Sequence, residues 1–140
     1  MIQIIAGEKG KGKTKLLIAR ANDDVRTITG NLVYIDKSNK HMYELSNKIR
    51  LINSRDYLLS NADEFLGFIS GILSSDHDVE KIYFDSLLKL ANLDEHADLE
   101  PVLTKLNAIS NLFKIEFVVC ISVKKDRIPD SFQEQIIEAL

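Results

Sequence analysis

Tryptophan is absent from this 140-residue chain, cysteine occurs once, proline twice and glycine six times. One cysteine cannot form an internal disulfide, so no disulfide scaffold is available, and Cys120 within an apolar run reads as a small buried hydrophobe. No apolar stretch approaches the roughly 20 residues of a membrane-spanning helix. Met1-Ile2-Gln3 enters an apolar segment directly and leaves no room for a signal peptide, so a cytoplasmic location is expected. The three histidines, His41, His77 and His96, are widely separated and form no spaced ligand set with Cys120. Asp76-His77-Asp78 reads as a solvated loop or helix cap. Basic residues interleaved with aromatics are also missing, which gives a nucleic-acid interface little support.

The composition is otherwise that of a globular protein, with 45% hydrophobic and 28% charged residues. One domain over residues 1–140 suits this length. Net charge is −3, unevenly spread. Residues 1–20 carry five basic side chains against Glu8, a net of +4, which leaves −7 for the other 120. Positive charge gathered at one site suits a polyphosphate ligand.

That charge centres on Gly7-Glu8-Lys9-Gly10-Lys11-Gly12-Lys13-Thr14, which fits G-x-x-x-x-G-K-[ST]. Ile2 to Ala6 before it reads as a buried strand, and Lys15 to about Asp24 after it as a helix. In that setting glycines let backbone N–H groups converge on phosphate oxygens at a helix N-terminus. The expected nucleotide-binding residues are Gly7, Glu8, Lys9, Gly10, Lys11, Gly12, Lys13, Thr14 and Lys15. Lys13 would reach the β- and γ-phosphates, and the Thr14 hydroxyl would ligate Mg²⁺.

Further along, Leu32–Asp36 reads as a strand after a turn at Gly30, His41–Lys48 as a short helix, and Ile49–Asn53 as a short strand. Asn61 caps a helix, with Glu64 as its reciprocal partner and Phe65, Leu66, Ile69, Ile72 and Leu73 on its core face. Lys81–Asp85 is a strand, and Pro101 opens a helix whose core positions are Leu99, Val102, Leu106, Ile109 and Phe113. Ile115–Val123 should be the most buried strand. Pro129 and the pair Ser131 and Glu134 predict a last helix with Phe132, Ile136 and Ile137 inward. The alternation predicts an α/β fold with a parallel sheet and helices on both faces, in a chain near the minimal size for such a core.

Parallel sheets place ligands at the carboxyl ends of their strands. Four of these ends are Gly7, Asp36, Asp85 and Ser122. Asp85 closes a hydrophobic strand, as a Mg²⁺-holding Walker B carboxylate does. A strand-end aspartate also caps helices without any metal. Lys124, Lys125 and Arg127 read as a basic turn, with a finger residue reaching a neighbouring copy's nucleotide as the alternative.

The P-loop together with Ile82-Tyr83-Phe84-Asp85-Ser86-Leu87-Leu88 resembles the RecA-like branch of P-loop ATPases. The resemblance implies a catalytic base just after the second strand, where Asp36 stands in place of the usual glutamate. It implies a γ-phosphate sensor at the position of Ser122, and a strand ending at Ser122 that lies between the P-loop and Asp85 strands. Over most of its length the chain is similar to small bacterial P-loop proteins, some with a twitching-motility label, which implies ATP binding without naming a substrate.

Three functions follow as expectations. The first is Mg-ATP binding with slow or partner-stimulated hydrolysis, with Lys13 and Asp36 catalytic and Thr14 and Asp85 on the metal. The second is a nucleotide-dependent assembly module without turnover, acting on a second copy or another protein. The third is a nucleoside or metabolite kinase, disfavoured by the lack of paired cysteines and of a lid segment.

Overall fold

The computed structural model describes residues 1–140. Its strands are β1 (Ile2–Ala6), β2 (Asn31–Asp36), β3 (Ile49–Asn53), β4 (Val79–Phe84), β5 (Glu116–Ile121) and β6 (Ile136–Ala139). Its helices are α1 (Lys13–Asp24), α2 (Ala62–Ser75), α3 (Leu87–Leu90) and α4 (Glu100–Phe113). All six strands are parallel, in the order β3-β2-β4-β5-β1-β6. The strand leading to Ser122 thus lies between the P-loop strand and the Asp85 strand, as the resemblance implies.

Strand alternation divides the core between two faces. One face presents Ile4, Val33, Ile35, Phe84, Phe117 and Val119 to α2 and α4. The other presents Ile5, Tyr34, Tyr83, Val118 and Cys120 to Leu17, Ile18 and Ala21 of α1. Helices on both faces leave the central strands without a wet side, which is why they read as continuous apolar runs. On α2, Phe65, Leu66, Ile69, Ile72 and Leu73 are all buried.

Asn61 caps α2 through its side chain to the Glu64 N–H (2.9 Å), but Glu64 answers one residue early, accepting the Ser60 N–H at 2.6 Å. On α4 the inward set includes Leu103, fully buried, whereas Phe113 is 39% exposed at the helix end.

Two expected helices do not form. His41–Lys48 is a chain of turns in which Tyr43 is 92% exposed and only Leu45 reaches the core. Asn22 of α1 holds this segment instead, donating to the Glu44 carbonyl and accepting from the Ser46 N–H, both at 2.8 Å. The C-terminal segment is a 3₁₀ stretch, Asp130–Gln135, followed by β6. There the Ser131 hydroxyl donates to the Glu100 carboxylate (2.7 Å) and does not cap the stretch. Ile136 and Ile137 are β-branched, and the open edge of β1 gives them a strand partner that a local pattern cannot reveal.

No helix is long and apolar enough to cross a membrane.

Candidate functional site

The glycine loop leaves β1 at Gly7, whose N–H donates to the Ile121 carbonyl at 3.3 Å. A side chain at Gly7 would press on Leu140, whose carbonyl oxygen lies 3.0 Å from the place of a Cβ. Gly10 and Gly12 adopt φ of 85° and 90°, open to glycine and strained for other residues. Those two bends turn the chain into α1 with no side-chain cap at Gly12, so the first helical N–H groups face the loop.

Lys13 is the first residue of α1 and only 7% exposed. Its Nζ donates to the Glu8 carbonyl at 3.0 Å, folding the loop over the lysine. Burial pulls its pKa below the ordinary lysine value, against the opposing influence of Cys120 and Asp85. An anion beside the ammonium would offset that desolvation. Cys120 is itself buried under Lys13, and burial pushes its thiol well above the usual range, so it is not a nucleophile.

Thr14 and Asp85 meet although 71 residues separate them. The Thr14 hydroxyl donates to Asp85 Oδ1 at 3.0 Å. The Tyr34 hydroxyl donates to the other oxygen, Oδ2, at 2.9 Å. Asp85 is 6% exposed, and its own N–H donates to the Ile35 carbonyl at 2.9 Å, which stitches the end of β4 to β2. Ser86 then takes φ 66°, an uncommon value for a residue with a side chain, as the chain turns into α3.

Asp36 ends the neighbouring strand β2 and is 9% exposed. Its Oδ1 accepts the Lys37 N–H at 2.7 Å, while its buried Oδ2 has no partner. Desolvation raises its pKa above the ordinary carboxylate value, and the Asp85 charge raises it further, against the Lys37 N–H and the nearby His41 and Lys40 side chains.

A cleft of about 370 Å³ brings Lys9, Gly10, Lys13, Thr14, Asp36, Asp85 and Ser122 together. Sequence reasoning missed Lys40 and His41, which also line it, because it placed them before or within a helix. It missed Tyr34 as well; the available signal was a tyrosine set among Leu32, Val33 and Ile35, since a buried hydroxyl needs a partner.

Lys11 lies outside the cleft, exposed, and Lys15 faces an adjoining hollow on α1. Lys124 and Lys125 line a separate hollow with Asp126, and Arg127 donates to the Glu95 carbonyl at 2.9 Å. Asp76 is used in a turn, accepting from the Asp78 N–H (2.9 Å) and from the Asn31 side chain (3.0 Å).

The donors at Thr14 and Asp85 are hydroxyl and carboxylate oxygens, which suit a hard cation such as Mg²⁺ and not a thiophilic metal. Lys13, the loop amides and the start of α1 together offer positive potential to an anion.

Neither a protein-family profile nor a curated protein sequence matches this chain. Among solved structures, it is similar to the flagellar accessory protein FlaH from Methanocaldococcus jannaschii, with 19% sequence identity and a TM-score of 0.60. The match covers 93% of this chain and 63% of the FlaH chain. At that identity the likeness speaks for the fold alone, and with the parallel sheet and the glycine loop at the end of β1 it shows an α/β P-loop fold.

Proposed function

We propose that residues 1–140 act as one nucleotide-binding domain that holds Mg-ATP and hydrolyses it slowly, or faster with a protein partner. The observation carrying this reading is the 3.0 Å hydrogen bond between Thr14 and Asp85, which joins the glycine loop to a strand-end carboxylate in one cleft with Asp36. In this reading the loop amides and Lys13 bind and orient the triphosphate, Thr14 and Asp85 hold Mg²⁺, and Ser122 faces the γ-phosphate. When bound, the metal neutralises phosphate charge as the bond to the γ-phosphoryl group breaks.

Asp36 is the proton acceptor. Its unpartnered Oδ2 supplies a free lone pair, and its raised pKa brings its basicity closer to that of a neutral-pH base. It positions water and accepts its proton as oxygen attacks the γ-phosphorus, leaving ADP and phosphate. The proposed setting is the cell interior, with a second copy or another protein as the stimulating partner.

A second reading, a nucleotide-dependent assembly module without turnover, draws on the Lys37 N–H bond to Asp36 Oδ1. That bond holds half of a short carboxylate against its own backbone. Titration calorimetry with ATP, GTP and non-hydrolysable analogues, followed by turnover on the same sample, separates the two. Tight Mg-ATP binding with phosphate release supports the ATPase, and tight binding without release supports the module. Lys13→Ala should abolish nucleotide binding in both cases, and unchanged affinity would overturn the shared premise.

A further inference from the structure

We propose that Tyr34 is a positioning residue for the divalent cation, acting by fixing the carboxylate of Asp85. The inference rests on the nucleotide-site reading above and deepens it. Tyr34 is fully buried on the α1 face of the sheet, among Ile5, Leu17, Leu32 and Val118. Phenylalanine would fill that apolar space equally well, and a buried hydroxyl is costly unless it is hydrogen-bonded. The hydroxyl donates to Asp85 Oδ2 at 2.9 Å.

The sheet register explains why the contact exists. Tyr34 pairs with Tyr83 on the adjacent strand, two residues before Asp85, and their rings stack at 6.4 Å with an interplanar angle of 16°. The Tyr34 ring is therefore clamped between neighbours, and its hydroxyl is delivered to the strand end. Tyr83 sends its hydroxyl to Asp24, at the far end of α1.

Asp85 then has one donor on each oxygen, Thr14 on Oδ1 and Tyr34 on Oδ2. The Thr14 hydroxyl keeps two lone pairs while its proton goes to Oδ1, so it can ligate a cation beside that oxygen. The Tyr34 bond need not break. It keeps Oδ2 engaged, stops the carboxylate rotating toward the Lys13 ammonium, and leaves Oδ1 as the oxygen presented to the ion or to its water shell. Partners that orient a metal ligand in this way are commonly worth about 10- to 100-fold in metal affinity.

The test is nucleotide binding at fixed ATP while Mg²⁺ is titrated, with ATP affinity in excess chelator measured alongside. For Tyr34→Phe the Mg²⁺ midpoint should rise about tenfold while affinity in chelator stays within about twofold. Tyr83→Phe, which removes the stacked partner's hydroxyl at the other end, should leave the midpoint in place. In an Asp85→Asn background, Tyr34→Phe should add no further shift.

A Tyr34→Phe midpoint within about twofold of the parent overturns the assignment of Tyr34 and leaves the nucleotide site standing. Equal weakening with and without Mg²⁺ also overturns it, because that is a packing defect and not cation positioning. If the parent protein shows no Mg²⁺-dependent ATP binding, the nucleotide-site reading fails, and the role of Tyr34 fails with it.

Discussion

Asp36 sits where burial opposes its charge, and that has a measurable consequence. A carboxyl whose folded pKa is raised holds its proton more tightly in the folded state than in the unfolded one. Its contribution therefore falls as pH rises from the unfolded carboxyl value through the folded one, and the charge destabilises the protein at neutral pH. Asp36→Asn should raise the melting temperature at pH 7 by a few degrees, with the gain vanishing near pH 3. The same variant should lose ATP turnover while retaining nucleotide binding. A melting point unchanged or lower at pH 7, measured by calorimetry, would contradict the burial argument. Gly30 gives a second residue-level expectation, this one steric. A Cβ there would lie 2.2 Å from the Asp78 carbonyl oxygen, beside the 2.7 Å bond from the Asn31 N–H to that same oxygen. Gly30→Ala should destabilise the fold by about 1–3 kcal/mol or more, read from urea unfolding, because backbone must shift to make room.

At the scale of elements, β6 is the strand held least firmly. It pairs with β1 alone, its register breaks between Ile4 and Ile5, and none of its residues is fully buried. By contrast β5 lies between β4 and β1, with Phe117 through Ile121 all buried. Amide exchange should therefore be faster across Ile136–Ala139 than across Phe117–Ile121 by orders of magnitude, and equal protection would show that β6 belongs to the cooperative core. The same element was illegible as a strand because its sequence carries helix-like punctuation. Pro129, Ser131 and Glu134 resemble a capped start, and only the unsatisfied edge of β1 decides otherwise. His41–Lys48 fails as a helix for a related reason: Met42 and Tyr43 have no apolar surface opposite them, and Asn22 recruits the backbone of Glu44 and Ser46. The elements that were legible, β1, α1, β2, β3, α2, β4, α4 and β5, have apolar runs or stripes whose burial is decided by the residues themselves.

Across the whole molecule, charge is sorted along the strand direction. The carboxyl ends of the strands gather Lys9, Lys13, Lys40 and Lys89 around the cleft, outnumbering Asp36, Asp85 and Glu95 there by one. At the opposite ends a hollow of about 620 Å³ is lined by Asp24, Asp76, Glu80 and Glu116 against Lys81 and Lys114, with Lys81 bridging Asp24 at 2.8 Å and Glu116 at 3.5 Å. This larger hollow is remote from the glycine loop and shares none of the cleft's residues. The sorting predicts that ATP affinity falls several-fold between about 0.1 and 1 M salt, as the screening length shrinks from about 10 to 3 Å. A flat salt response in the binding titration would show that the cleft's charge is not felt by the ligand. Asp24 adds a pH dependence at the acidic end. Burial works against its charge, but the Lys81 and Tyr83 hydrogen bonds outweigh it and hold its pKa below the ordinary value. Its stabilising contribution is thus present above the unfolded carboxyl pKa and lost as pH falls through the folded one, so Asp24→Asn should flatten the acid limb of the stability profile.

The glycine loop, its lysine and threonine, and the strand and helix around it were determined by the sequence alone, because their chemistry is local: glycines that bend, a helix that starts, a cation beside them. Asp36, Asp85 and Ser122 were legible as strand ends because in a parallel sheet every strand delivers its last residue to the same edge. What only the tertiary structure decided is which of these groups touch. The Thr14–Asp85 bond, the Tyr34 hydroxyl on the far side of that carboxylate, the arrival of Lys40 and His41 at the cleft, and the pairing of β6 with β1 all join residues distant in the chain. Those contacts depend on strand order and register, and no local periodicity carries that information.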